Sequence, residues 1–170
     1  MHLVLKSCTI RPWRLDDAES LAKHANNRKV WLGVRDLFPH PYTIEAAHEF
    51  LQKKISEQAP TIFCIEVDSA AVGGIGIHKG QDVYRHTATM GYWLGEDFWR
   101  RGIMTEAVTA FTNFCFGNFP LRRISAEVFA NNLASARVLE KAGFILEGRL
   151  KNNVVKEGQL LDSLVYGRTK

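Results

Sequence analysis

Residues 98–107, FWRRGIMTEA, set two aromatics, two arginines and a glycine directly before a helix-forming run. The first N–H groups of a helix have no partner within it and carry a partial positive charge. Gly102 would let an anion reach that backbone without a Cβ in the way. Arg100 and Arg101 add planar guanidinium donors that match phosphate oxygens. The stretch therefore reads as a seat for a pyrophosphate. The plainer alternative is a solvated turn with two surface arginines, and so short a motif does not decide between them. No GxxxxGK[ST] occurs, and no GxGxxG follows the first strand, so two familiar phosphate loops are excluded.

A second constellation lies in NNLASARVLEKAGF, residues 131–144. Asn132 and Ser135 are three apart and share one face of a first helical turn. In isolation they read as an N-cap and a filler beside it. Their place in the chain adds to that, because this helix follows the strand after the FWRRG helix. A crossover would carry its start toward the same end of the sheet.

The elements that must position these residues follow from pattern. CTIRPW reads as a short strand, with Pro12 keeping it at a sheet edge or marking its end. In LDDAESLAKHANN, Asp16 and Glu19 have capping-box spacing, and Ala18, Leu21, Ala22 and Ala25 form one apolar face. Residues 30–42 are irregular, broken by Pro39 and Pro41. Thr43 caps a helix that buries Ala47, Phe50, Leu51 and Ile55. TIFCIEV, AAVGGIGIH and TATMGYWLG are three strands, the first two a hairpin. From residue 103, Ala107, Val108, Ala110, Phe111, Phe114 and Cys115 recur at helical spacing until Gly117 and Pro120. RRISAEVF is a strand, and the helix after it ends on Gly143. ILEGRL and QLLDSLVYG are two strands joined by polar KNNVVKEG. The order β-α-α-β-β-β-α-β-α-β-β predicts a mixed α/β sheet with helices on its faces.

Composition narrows the class. The chain has 170 residues, 46% of them apolar and 24% charged, as in a soluble globular protein. That length suits one domain, 1–170, able to bury roughly 70% of its unfolded surface without a staple. Cys8, Cys64 and Cys115 are odd in number and widely spaced, as expected of buried thiols in a reducing compartment. None of the six histidines has metal-ligand spacing, so no metal is expected. A net charge of +4 permits an anionic ligand but predicts no nucleic-acid partner. No membrane span and no secretory signal are read, so the expected location is the cytoplasm.

Taken in order, TIRPWRLDDAESLAKHANN, FPHPYT, GYWLGEDFWRRGIMTEAV, NNLASARVLEKAGF and EGRLKNN resemble the GNAT superfamily of N-acetyltransferases, in its RimJ/RimL-like branch. The resemblance covers nearly the whole chain. It implies a mostly antiparallel sheet with one splayed parallel pair, here 87–94 and 123–128. It implies acetyl-CoA as co-substrate, with pyrophosphate on Arg100, Arg101, Gly102, Ile103, Met104 and Thr105. Pantetheine and acetyl would lie along Tyr92, Trp93 and Leu94, with Asn132 and Ser135 near the thioester sulfur. Trp99 and Met104 replace the Gln or Arg and the Gly or Ala of the general superfamily pattern. Leu139 stands where many members have a Tyr that protonates the thiolate, leaving the Ser135 hydroxyl as the best substitute. Val154 stands where some relatives place a Glu base.

Amine attack on a thioester also needs a proton acceptor, for which Glu96, Glu127, His78 or relayed water qualify. The segment VWLGVRDLFPHPY would wall the acceptor side through Arg35, Asp36, Phe38 and Tyr42, or else form a hydrophobic lid. The acceptor expected from the branch is a protein N-terminus, ribosomal proteins included, or a small-molecule amine, and a homodimer is a possible assembly. Readings from other classes are a catalytically silent acyl-CoA-binding module and an RNA-associated domain.

Overall fold

The computed structural model describes residues 1–170. Its strands are β1 (Leu3–Val4), β2 (Thr9–Arg11), β3 (Ile62–Val67), β4 (Ala70–Lys79), β5 (Thr87–Leu94), β6 (Arg123–Phe129), β7 (Ile145–Lys156) and β8 (Gln159–Thr169). Its helices are α1 (Ala18–Ala25), α2 (Arg28–Trp31), α3 (Ile44–Ile55), α4 (Ile103–Asn118) and α5 (Leu133–Lys141). The strands are ordered β1-β2-β3-β4-β5-β6-β8-β7 in a mixed, mostly antiparallel sheet with one parallel pair, β5 with β6. The mixed α/β architecture expected from the sequence is thus observed. The chain divides into two units, residues 1–76 with 92–103 and residues 77–91 with 104–170.

In the first unit, β1, β2, β3 and β4 pair antiparallel in succession. Trp13, Ala18, Leu21, Ala25, Tyr42, Ala47, Leu51, Cys64 and Ala71 form its buried core, with Phe38, Phe50 and Trp93 packed against them. Gly74 makes room for one of these rings, since a Cβ there would sit 2.8 Å from the Trp93 indole nitrogen. The entry to α1 departs from expectation: Asp17, not Asp16, organises it. Asp17 accepts the Arg14 N–H at 2.8 Å and both terminal nitrogens of Arg11 at 2.8 and 2.7 Å. Arg11 is 1% exposed and also donates to Glu66 across the β2–β3 pair. A buried fork of this kind loses about 3–5 kcal/mol when one partner is removed. Thr43 caps α3 by accepting the Ala46 N–H, as its position predicts. Ile55 does not join the core; at 46% exposed it ends α3 on the solvent side. A short helix, α2, reaches into the stretch expected to be irregular, at Val30 and Trp31. Asn27 caps it by accepting from Lys29 and Val30 N–H groups.

In the second unit the parallel pairing of β5 with β6 runs from Thr87–Arg123 to Met90–Ala126. Parallel neighbours need a crossover, and α4 supplies it. Ile103, Met104, Ala107, Val108, Phe111, Thr112, Cys115 and Phe116 are its buried positions, neighbours along one face at spacings of three and four. The helix ends at Asn118, between Gly117 and Pro120, where the sequence predicts its stop. At α5, Asn132 is the N-cap, and Gly143 with φ +82° follows the C-terminus. The segment KNNVVKEG is not a connector. β7 continues through Lys156, and the hairpin turns only at Glu157 and Gly158, with φ +50° and +74°.

Candidate active site

The stretch singled out first is a built turn. Glu96–Phe98 is one short 3-10 turn, closed by Phe98 N–H to the Gly95 carbonyl and Trp99 N–H to the Glu96 carbonyl, each at 3.0 Å. The Trp99 indole N–H reaches back to the Leu94 carbonyl at 2.7 Å, pinning the loop to the end of β5. Glu96 anchors the other side, accepting from Lys29 Nζ at 2.5 Å and Asn27 Nδ2 at 2.9 Å. Those two donors hold its carboxyl below the usual range, so it stays ionised as a tether and makes a poor proton acceptor.

Beyond the tether the backbone turns left-handed twice, at Arg100 with φ +62° and at Gly102 with φ +79°. A Cβ placed on Gly102 would meet nothing within 4 Å, so the space over the helix start is open. Gly102 precedes Ile103, the first residue of α4, and has no side chain with which to cap it. Arg100 and Arg101 are both exposed. Ile103 and Met104 are 3% and 8% exposed, so both are buried residues of the core. The long side chain at 104 is a core residue. Thr105 is half-buried, with its carbonyl taken by Thr109 Oγ1.

The other expected contact residues divide by environment. Leu94 is buried and its carbonyl is occupied by Trp99. Trp93 meets Phe38 with ring centroids 5.4 Å apart, and Tyr92 is half-buried. Asn132 and Ser135 are joined directly: the Asn132 Oδ1 accepts the Ser135 N–H at 3.1 Å. In 30–42, Arg35 and Asp36 are exposed. Phe38 packs on Tyr42 with centroids 4.9 Å apart, and Tyr42 is 4% exposed. Burial pushes the Tyr42 phenol up to about 12, so it remains protonated at working pH. Tyr42 belongs to the core of the first unit, with Phe38 packed against it.

One polar cluster went unread in the sequence. Asn153 Nδ2 donates to Glu127 Oε1 and to Ser163 Oγ, each at 2.8 Å. Beside it, Asp162 accepts from Arg149 Nε at 2.5 Å and from the Asn152 N–H at 2.9 Å. These contacts fix a bulge between Leu150 and Val154. The signal was the Asn152–Asn153 pair, which local pattern assigns to a turn. The Cys115 thiol, pushed up to about 12 by burial, is no nucleophile, and Cys64 is driven higher still.

Comparison with known proteins identifies the family. Residues 8–145 match the acetyltransferase (GNAT) domain family. The chain is 32% identical over 160 residues to the probable N-acetyltransferase YjcK of Bacillus subtilis, covering 90% of this chain and 88% of that one. It is 26% identical over 163 residues to the [ribosomal protein uS5]-alanine N-acetyltransferase of Escherichia coli, covering 92% and 81%. Among solved structures, a GNAT acetyltransferase from Bacillus anthracis superposes with a TM-score of 0.86 at 23% identity, over 99% and 98% of the two chains. RimL, the ribosomal L7/L12 α-N-protein acetyltransferase in complex with coenzyme A, superposes with a TM-score of 0.85 at 23% identity, over 98% and 96%. These matches lead to one conclusion: the chain belongs to the GNAT acetyltransferase family, with ribosomal-protein N-acetyltransferases among its relatives, and is an acetyl-CoA-dependent N-acetyltransferase.

Proposed function

We propose that this protein moves the acetyl group of acetyl-CoA to a primary amine by direct attack within a ternary complex. The acceptor class is a protein N-terminal α-amine, including that of a ribosomal protein, or a small-molecule amine. The observation that carries the reading is the start of α4, where a left-handed Gly102 faces open space and two exposed arginines precede it. Main-chain N–H groups of 102–105 would take the pyrophosphate, and Arg100 and Arg101 would add charge-assisted donors. The main chain of Tyr92–Leu94 would lie along the pantetheine.

In the transfer, the amine nitrogen bonds to the thioester carbonyl carbon, the carbon–sulfur bond breaks, and the sulfur takes a proton. Ser135 Oγ would hydrogen-bond the leaving sulfur and relay a proton to it from solvent, taking one up as it gives one, with Asn132 fixing the turn that carries it. The proton shed by the amine would pass to Glu127 or to solvent. Main-chain donors aimed at the developing oxyanion typically contribute about 10²–10³ in rate each. Cys115 and Cys64 are held as thiols by burial, which supports direct transfer over an acyl-cysteine intermediate. Arg35 and Asp36, exposed on the 30–42 segment, are the proposed polar contacts for the acceptor, with Phe38 and Tyr42 as the wall behind them.

The test is thiol release from acetyl-CoA against peptides with free α-amines, polyamines and amino acids. Turnover with at least one class, linear in acceptor at low concentration and without an acyl-enzyme burst, is expected. Tight acetyl-CoA binding with no product from any amine would contradict transfer.

A further inference from the structure

We propose that Phe98 is a positioning residue for the coenzyme, an aromatic platform that holds Arg101 ready for phosphate, and that His24 braces the platform. The inference rests on the reading that the start of α4 binds the pyrophosphate. It concerns which arginine does the work and what orders it.

The two arginines ahead of Gly102 differ in their surroundings. Arg100 makes no hydrogen bond, ion pair or ring contact, and its backbone is left-handed. The Arg101 guanidinium carbon lies over the Phe98 ring at 5.2 Å from its centroid. A guanidinium held over a ring by cation–π attraction still has N–H donors to offer phosphate oxygens. A long side chain ordered before binding loses less freedom when it grips a ligand. The ring itself is fixed. His24 is 9% exposed and meets Phe98 at a centroid distance of 5.3 Å and an interplanar angle of 79°. The same imidazole fills the space beside Gly95, where a Cβ would come within 3.1 Å of it. His24 therefore touches both ends of the 95–98 turn. Burial also lowers its pKa, which keeps the ring neutral under a cationic loop.

The experiment is a double-mutant cycle on acetyl-CoA affinity, read by calorimetry, with Phe98→Leu, Arg101→Ala and the pair. An exposed cation–ring contact predicts about a two- to fivefold weakening for Phe98→Leu, expressed in KM for acetyl-CoA and not in kcat. Arg101→Ala should weaken binding more, and the double variant should be no worse than Arg101→Ala alone. Phe98→Tyr and His24→Phe should restore wild-type affinity, whereas His24→Ala should resemble Phe98→Leu. Arg100→Ala should cost less than Arg101→Ala. Unchanged affinity in Phe98→Leu, or a loss that adds in full to that of Arg101→Ala, would overturn the proposal. Gly102→Val separates the two levels of failure. If it weakens binding while Phe98→Leu does not, only the platform is wrong; if neither weakens binding, the pyrophosphate seat itself is wrong.

Discussion

Two helices begin in this protein in opposite ways. α5 starts at Asn132, whose own carboxamide oxygen accepts the Ser135 N–H. α4 starts behind Gly102, which has no side chain to offer and faces open space. The first helix satisfies part of its donor set internally. The second has no side chain at that position to satisfy its first N–H donors. A capped start orients side chains, and a bare one binds anions. Under the proposed function, that difference would give the coenzyme seat to α4 and an orienting role to the α5 turn.

The comparison can be broken most sharply at Gly102. A β-branched residue at φ +79° is strained and fills the open space. Gly102→Val should weaken acetyl-CoA binding about tenfold or more, the cost of losing one hydrogen bond to a charged group. Affinity unchanged within twofold would make the glycine an ordinary turn. Next in size is Ser135→Ala, which should lower kcat about 10²-fold, as for loss of a general acid, while coenzyme affinity stays within about twofold. Equal losses in both would mean that Ser135 only shapes the site. Asn132→Ala should remove the cap and cost about 1 kcal/mol, a fall in Tm of roughly 2–4 °C for a chain of this size. Asn132→Asp should keep the cap and recover that stability. A full loss of turnover in the stable Asp variant would assign the amide a direct catalytic role.

The smallest effect sharpens the account of the loop. His24 has a folded-state pKa below its usual value near 6.5, because burial disfavours the charged ring. Between those two values the unfolded chain binds more protons, so stability rises with pH. The contribution is complete above about 6.5 and is lost as pH falls below it. Thermal melts from pH 5 to 7.5 should show wild type losing stability on acidification faster than His24→Phe. Parallel curves would place His24 outside this linkage.

Much of this was legible in the sequence, for physical reasons. The periodicity of Ala107 to Cys115, the cap residues Thr43 and Asn132, and Gly143 after α5 are local signals, and local signals decided those elements. What local pattern missed was decided by partners far along the chain. Asp16 and Asp17 look alike in sequence, but only Asp17 meets the buried Arg11. The Asn152–Asn153 pair reads as a turn, and Asn152 does adopt φ +50°, yet Asp162, Glu127 and Ser163 hold it as a bulge inside a continuous β7. Trp99 stands where the general superfamily pattern has Gln or Arg, and its indole takes the structural task of tying the loop to Leu94. Glu96 was a candidate base by type, and Lys29 and Asn27 turn it into a tether.

The central claim is that the bare start of α4 grips the diphosphate of acetyl-CoA, and one comparison tests it most directly. Calorimetric affinities for acetyl-CoA and for S-acetylpantetheine, which lacks the diphosphate and nucleotide, should be measured for wild type and for Gly102→Val. The account predicts that wild type strongly prefers acetyl-CoA and that Gly102→Val loses most of this preference while its affinity for S-acetylpantetheine is little changed. A preference that survives intact in Gly102→Val would contradict it.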